Sequence, residues 1–277
     1  MKKRPRAAAA LLTAGISILL AVAPGAASAW APADQASIHP GVQTVTQGAQ
    51  CTSNFVFQDA SSVYIGQAAH CSGTGAATET DGCDSGSLPI GTPVEVDGAS
   101  RPGTMVYNSW ITMQQRGETD EETCAFNDFA LVRLDPADLA SVNPSVPGFG
   151  GPTGVGSVGG LGSTVYTYGN SSLRFGVTKL SPKQGTLVRN SPDGWSHDVY
   201  TATPGIPGDS GSGFMNESGQ AIGVLSTVQL APLAGSNGVG DIAKEIAYMR
   251  ANSSIGAALV PGTEPFNPDI VAAIGGA

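Results

Sequence analysis

The sequence predicts an all-β fold of two antiparallel six-stranded barrels followed by a C-terminal helix. Charged residues make up only 13% of the 277 residues, whereas glycine contributes 38 residues and proline 19. Most apolar segments are four to seven residues long, are rich in Val, Ile, Tyr, Phe and Thr, and end at Gly, Pro, Asn, Asp or Ser. This pattern is typical of short strands joined by turns. The strands fall into two groups of about six, separated by a glycine-rich stretch.

The segment 1–29 has the parts of a secretory signal peptide in their usual order: a basic start, an apolar run over residues 7–23 and a small-residue cleavage site at residues 27–29. The run is interrupted by polar residues and is short for a membrane span of roughly 20 residues, so a membrane anchor is the weaker alternative. We expect this segment to be removed and the product to be secreted, extracellular and free of the membrane. Residues 30–37 would then form a short N-terminal or pro segment.

The chain is strongly acidic. Its formal net charge is −9, and loss of the four basic residues in the signal segment would take it to about −13. Nucleic acid and anionic membrane surfaces attract basic proteins. We therefore expect neither of them to be a partner.

The first barrel is predicted over residues 38–147. Its candidate strands are residues 42–46, 54–58, 62–67, 94–96, 104–107, 109–113 and 129–134. The stretch 148–162 is dominated by glycine and proline without apolar periodicity, which favours a linker between two halves. The alternative is a long surface loop within one domain.

The second barrel and the helix are predicted over residues 163–260. The candidate strands are residues 164–168, 173–180, 185–189, 198–202, 212–215 and 221–227. A helix is predicted at residues 241–252, because Asp241 is a suitable N-cap and Ile242, Ile246 and Met249 fall on one helical face. The tail, residues 261–277, is expected to be loosely held.

The chain contains four cysteines, which allow three disulfide pairings. We favour Cys51–Cys71 and Cys83–Cys124. A zinc site formed by His70 and the cysteines is the alternative, but the sequence has no Cys-x-x-Cys pair and an oxidising compartment disfavours free thiolates. We expect neither a metal nor another cofactor.

The stretch 203–214 is rich in glycine and places Ser210 between Asp209 and Gly211. A serine hydroxyl becomes a useful nucleophile only beside a base and on a backbone that exposes its Oγ. Flanking glycines permit such a turn and let successive N–H groups point at one spot. Taken alone, the stretch is equally consistent with an ordinary turn.

Two earlier segments supply the groups that a nucleophilic serine needs. His70 ends an apolar strand and is followed by Cys71, and Asp128 directly precedes an apolar strand. A single histidine or aspartate at such a position is usually structural. The order histidine, aspartate, serine in a chain rich in predicted strands is far more specific, because these three groups together activate a hydroxyl.

The three segments resemble the motifs of the trypsin-like, or chymotrypsin-fold, serine endopeptidases, and particularly their secreted bacterial members. Ala-Ala-His-Cys at residues 68–71 is similar to the histidine motif, Asn-Asp-Phe-Ala-Leu at 127–131 to the aspartate motif and Gly-Asp-Ser-Gly at 208–211 to the serine motif. The resemblance implies a monomeric enzyme of two barrels with its active site in the cleft between them. Its substrates would be proteins or peptides.

The resemblance also implies a role for each residue. Ser210 would attack the carbonyl, His70 would act as general base and then acid, and Asp128 would orient the imidazole. The N–H groups of Gly208 and Ser210 would form the oxyanion hole.

The resemblance places the substrate-binding residues at Pro204, Ser226, Thr227 and Val228. Pro204 stands where trypsin-type members carry an acid, and Thr227 stands where glutamate-specific members carry a histidine. Val228 replaces a common glycine and would narrow the pocket. Cleavage after small or medium apolar residues is therefore expected.

Two features of the resemblance remain open. In the family the aspartate before the serine, here Asp209, pairs with the mature N-terminus. Ile38 only faintly resembles that terminus and no basic residue precedes it closely, so the partner of Asp209 is not predicted. The alternatives to a protease are a catalytically silent binding module and a serine esterase on another fold. The sequence lacks the Gly-x-Ser-x-Gly elbow of the latter.

The other titratable residues are expected to be structural. His39 and His197 match no motif, and the acids at residues 118–122 lack the alternate spacing of a calcium loop. We expect the acids to form a solvated face.

Overall fold

The computed structural model describes residues 1, 30–76, 78–228 and 233–276. Apart from Met1, the predicted signal peptide lies outside the described residues. None of the helices in the described ranges is long and apolar enough to cross a membrane.

Within the described part of the first half there are seven strands: β1 (Gln43–Thr46), β2 (Ala49–Thr52), β3 (Val56–Gln58), β4 (Val63–Gln67), β5 (Pro93–Val96), β6 (Gly103–Asn108) and β7 (Ala130–Arg133). All five residues of β4 are buried, because this strand lies inside the sheet between β3 and β7. In β5 only Val94 and Val96 are buried, the alternation of a strand with one face toward water.

Six strands of the described residues form the barrel of the second half: β8 (Thr164–Tyr168), β9 (Pro182–Asn190), β10 (Ser196–Thr201), β11 (Gly213–Asn216), β12 (Ala221–Val228) and β13 (Asn237–Asp241). They close into a barrel in the order β10-β13-β12-β11-β8-β9. Its interior is filled by Val165, Leu187, Val199, Phe214, Ile222, Leu225 and Val239. The predicted six-stranded barrel is confirmed for this half.

The first half departs from a closed six-stranded barrel. A short C-terminal strand, β14 (Ala258–Leu259), pairs with β3. The result is an eight-stranded antiparallel sheet in the order β14-β3-β4-β7-β6-β5-β1-β2. The fold class is confirmed as all-strand sheets with a small C-terminal helix. The extra strands come from a turn at residues 47–48 and from the segment that follows that helix.

Two segments predicted as strands are not strands. Residues 109–113 lie in α1 (Ser109–Arg116), because the Asn108 side chain accepts hydrogen bonds from the N–H groups of Trp110 and Ile111 and Gly117 ends the helix at φ 66°. Residues 173–180 instead contain two short 3₁₀ turns. The acids at 118–122 are partly helical, since Asp120 caps α2 (Glu121–Phe126).

The predicted C-terminal helix is confirmed as α3 (Ile242–Asn252), capped by Asp241, whose carboxylate accepts the Lys244 N–H at 2.9 Å. The tail beyond it is packed rather than loose. Phe266 lies edge-on against Tyr166 with ring centroids 5.4 Å apart, and Ala273 of α4 (Ile270–Gly276) is fully buried. The tail is therefore part of the folded unit.

Candidate active site

The pairing of β4 with β7 brings His70 and Asp128 together. Gln67 at the end of β4 lies opposite Ala130 at the start of β7, so the residues just beyond these positions are neighbours. His70 follows β4 on a 3₁₀ turn, and its Nδ1 lies 2.6 Å from Asp128 Oδ2. The backbone N–H of His70 donates to Asp128 Oδ1 at 2.8 Å. Both carboxylate oxygens therefore hold the histidine.

Asp128 is almost fully buried and accepts a third hydrogen bond, from Ser226 Oγ to Oδ2 at 2.5 Å. Burial alone would raise the pKa of this carboxyl, but the charge and hydrogen bonds of His70 and the Ser226 hydroxyl outweigh it and hold the pKa below its usual value. Burial lowers the pKa of His70, yet the Asp128 charge and hydrogen bond raise it above 6.5 overall. The sequence predicted Ser226 only as a substrate contact, and its contact with Asp128 is a further finding.

Ser210 lies in the loop between β10 and β11, pressed against β2 of the first half. The Ser210 carbonyl accepts the Thr52 N–H at 2.8 Å, and the Gly208 carbonyl accepts the Thr52 hydroxyl at 2.7 Å. Gly211 adopts φ 87°, and a Cβ there would lie 2.5 Å from the Thr52 carbonyl oxygen. Only glycine fits this approach, so the loop meets the first half closely.

Ser210 and His70 line the same cavity, of about 770 Å³. The hydrogen bonds within the described residues do not include one between Ser210 Oγ and His70. Nor do they include any donated by the N–H groups of Gly208 and Ser210, although the neighbouring Asp209 and Gly211 N–H groups are both used. Two free N–H groups at the cavity wall are suited to stabilise an oxyanion.

Asp209 is fully buried, and the structure supplies the partners that the sequence did not. Its carboxylate forms ion pairs with Arg174 and with Lys183 Nζ, the latter at 2.6 Å. The N–H groups of Ser171 and Ile206 also donate to it, each at 3.2 Å. Burial lowers the pKa of Lys183, and the Asp209 charge only partly offsets that effect. This network fixes the residue next to Ser210 without the use of a chain terminus.

No protein-family model and no curated protein sequence matches the chain. Several solved structures are similar to it. Protease A of Thermobifida fusca is 20% identical, with a TM-score of 0.54 over 82% of this chain and all of that one. A Nocardiopsis protease is 18% identical, with a TM-score of 0.51 over 80% and 98%.

A third solved structure is a glutamic acid-specific serine protease described as using a histidine triad in substrate binding. It is 18% identical, with a TM-score of 0.50 over 80% of this chain and all of that one. The chain has the chymotrypsin fold. At these identities the similarity establishes the architecture, and the chemistry must be argued from the residues.

Of the predicted substrate contacts, three line the cavity of this chymotrypsin fold: Ser226, Thr227 and Val228 at the end of β12. Pro204 is exposed and is not among the lining residues, which resume at Gly205. A Cβ at Gly205 would lie 3.2 Å from Val228 Cγ2, so the valine closely faces the opposite wall. Asn237 fixes that wall by accepting the Gly205 N–H at 2.8 Å.

Both disulfides follow the favoured pairing, Cys51–Cys71 and Cys83–Cys124. The first anchors the turn that carries His70. The second ties the loop after His70 to α2, and residues of that loop together with Trp110 form one part of the cavity wall. The sequence did not predict this wall, because a cap on Asn108 turned an expected strand into α1.

The other two histidines lie apart from the cavity. His197 is buried in the barrel between Asn190 Oδ1 and Asp241 Oδ2, at 2.8 and 3.1 Å. His39 hydrogen-bonds the Pro40 carbonyl through Nδ1 at 2.9 Å, and burial lowers its pKa. Neither lines the cavity with Ser210, in keeping with the structural role expected for both.

Proposed function

We propose that the chain is a secreted serine endopeptidase that cleaves peptide bonds through an acyl-enzyme. The observation that carries this proposal is the arrangement around one cavity. His70 is held by a buried, triply hydrogen-bonded Asp128. Ser210 lines the same cavity beside two N–H groups that donate no hydrogen bond to the described residues. On this fold such an arrangement supports acyl transfer.

Each group would act through its position. His70 Nδ1 is occupied by Asp128, which leaves Nε2 to take the proton of Ser210 Oγ and later to deliver it to the leaving amine. The Asp128 carboxylate fixes the tautomer and stabilises the imidazolium. The N–H groups of Gly208 and Ser210 would donate to the oxyanion, and one such donor is worth about 3 kcal/mol of barrier.

The proposed mechanism predicts the acid limb of the pH profile. His70 must be neutral to accept a proton, and its pKa in the folded chain lies above 6.5. We expect kcat/KM to rise about tenfold per pH unit below that pKa and then to level off. Measurement between pH 5 and 9 tests this, and a rate that stays constant between pH 5 and 8 would contradict the role of His70.

The proposed preference is for small or medium apolar residues before the scissile bond. Val228 closely faces Gly205 across the pocket. The described lining residues at 205–210 and 225–228 include no acid to bind lysine or arginine, and the acid that does line the cavity, Glu79, belongs to the loop after His70. The glutamate-specific neighbour is described as binding substrate through histidines. Here the lining histidine is the catalytic candidate, His70.

Digestion of a mixed peptide library by the secreted protein tests both parts of the proposal, with cleavage sites identified by mass spectrometry. We expect cleavage after residues such as alanine and valine, abolished in Ser210→Ala and retained in Ser218→Ala, an exposed serine on a turn. Dominant cleavage after arginine, lysine or glutamate would overturn the specificity. Absence of cleavage by the wild type, or equal cleavage by Ser210→Ala, would overturn the proposed function.

A further inference from the structure

A second buried carboxyl group lies behind the candidate catalytic aspartate. Glu245, in the first turn of α3, is 0% exposed. Its Oε1 accepts the backbone N–H of Asp128 at 3.2 Å, although the two residues are 117 positions apart in the chain. Glu245 therefore contacts the backbone of Asp128, whereas His70 contacts its carboxylate. The proposed mechanism leaves this residue without a role.

Gly240 leaves the space that the Glu245 carboxyl group occupies. A Cβ at Gly240 would lie 2.6 Å from Glu245 Oε1 and 3.0 Å from the Phe126 carbonyl oxygen. Only glycine at position 240 leaves room for the carboxyl group beside the chain that leads to Asp128. The helix N-terminus at Asp241 fixes the start of α3, so the glutamate is held by its helix and its neighbours together.

The surroundings of Glu245 favour its neutral form. Among the described residues, the titratable groups that act on it are Asp128, Asp241 and Tyr107, none of which is a cation. Burial comes first and the Asp128 charge second in raising the pKa of Glu245 well above 4.5. A helix N-terminus favours an anion, but only modestly. Asp128 accepts three hydrogen bonds that stabilise its anion, so of the two carboxyl groups Glu245 is the one that favours a proton.

We propose that Glu245 is a positioning residue for the catalytic aspartate: as a neutral acid it accepts the Asp128 N–H and holds Asp128 where it orients His70. This inference rests on the proposed serine-protease function. A residue of the C-terminal helix would thus support general acid–base catalysis by His70, through Asp128. Ionisation of Glu245 would place a second buried negative charge beside Asp128 and disturb that arrangement, so activity should decline on the alkaline side as Glu245 loses its proton.

The test compares Glu245→Gln and Glu245→Leu in the full secreted chain, with Glu121→Gln on the exposed start of α2 as control. Glutamine is neutral and keeps an acceptor for the Asp128 N–H, whereas leucine of similar size leaves that donor unpaired. Peptide hydrolysis is measured from pH 5 to 11 with rates normalised to the fraction of sites that react with a fluorophosphonate. Proton NMR records the far-downfield signal of His70 Nδ1–H.

We expect Glu245→Leu to lower kcat about 10- to 100-fold with KM within about threefold, and to broaden or remove the His70 signal. Glu245→Gln should keep kcat within about threefold near neutrality, keep the His70 signal and move the alkaline decline to higher pH. Glu121→Gln should match the wild type throughout.

Wild-type kcat in a folded Glu245→Leu, or an unchanged alkaline decline in Glu245→Gln, would overturn the proposal. If the leucine variant does not fold, the pH profile and NMR signal of the glutamine variant decide the question. Failure of the wild type itself to hydrolyse peptides overturns the proposed function. In that case a His70 signal lost with leucine but kept with glutamine would still establish that Glu245 positions Asp128.

Discussion

The two sides of the cleft bury charge in opposite ways. Behind the first sheet, the carboxyl groups of Asp128 and Glu245 lie together without a facing lysine or arginine among the described residues. In the barrel, the single carboxylate of Asp209 faces two cations, Arg174 and Lys183. A buried charge is tolerated only if it is paired or neutralised. At Asp128 and Glu245, protonation of Glu245 would remove one of the two buried charges. At Asp209, the two cations balance the buried charge.

This difference indicates how each side should respond to change. The acid–base side should be sensitive to pH, because one of its two carboxyls keeps its proton only through burial and the charge of the other. The barrel side should be sensitive to loss of a partner, because removal of its carboxylate leaves two buried cations.

Asp209→Asn should have the largest effect on stability. It leaves Arg174 and Lys183 buried without a counter-charge, and breaking a buried ion pair in this way typically costs about 3–5 kcal/mol. We expect the free energy of unfolding in urea, measured at pH 7, to fall by about that amount. Arg101→Gln is the control, because Arg101 is 66% exposed and lies 3.6 Å from Asp135. Its loss should cost less than about 1 kcal/mol. Similar small losses in both variants would show that the Asp209 network does not hold the loop.

Glu245→Gln should change the pH dependence of stability rather than lower stability throughout. Folding raises the pKa of Glu245 above its unfolded value near 4.5, so above that pH the folded chain retains a proton that the unfolded chain releases. The wild-type free energy of unfolding therefore falls as pH rises from 4.5 toward the pKa of Glu245 in the folded chain.

Glutamine does not titrate, so the variant does not lose this contribution. The free energy of unfolding of the variant minus that of the wild type should therefore be larger at pH 8 than at pH 5. Urea unfolding of both proteins at the two pH values provides the measurement. A stability difference that stays constant with pH would show that Glu245 is ionised in the folded protein.

Val228→Gly should have the smallest effect on the protein and act on substrate choice alone. Removal of the side chain opens the space toward Gly205, so kcat/KM for a peptide with phenylalanine before the cut should rise about tenfold relative to one with alanine. Val155→Gly changes a valine of similar exposure outside the cavity and should leave this ratio unchanged. An unchanged ratio in Val228→Gly would show that Val228 does not limit the pocket.

The sequence predicted His70, Asp128 and Ser210 as candidate site residues because each lies in a short local motif. In the structure His70 and Ser210 line one cavity, and Asp128 is hydrogen-bonded to His70. His70, Asp128 and Ser210 are each flanked by the residues that shape their turns, and those flanks are contiguous in the chain. The favoured disulfide pairing and the closed second barrel were confirmed for the same reason, since strand patterns and cysteine positions are local features.

The partners that complete the site were not predictable from local patterns. Arg174 and Lys183 lie 35 and 26 positions from Asp209, and Glu245 lies 117 positions from Asp128. Only closure of the barrel and packing of α3 bring them together. In the same way, Asn108 overrode the strand propensity of the residues after it, because its side chain caps a helix. The strand β13 was missed because its glycines resemble a loop.

Intact-mass analysis after treatment with a fluorophosphonate tests the central claim, that the cleft activates Ser210, most directly. We expect a single adduct on the wild type, none on Ser210→Ala, and labelling that slows as the pH falls below the pKa of His70. Asp128→Asn should label far more slowly, because the imidazole loses the carboxylate that orients it. An unlabelled wild type, or equal labelling of Ser210→Ala, would show that Ser210 is not an activated nucleophile.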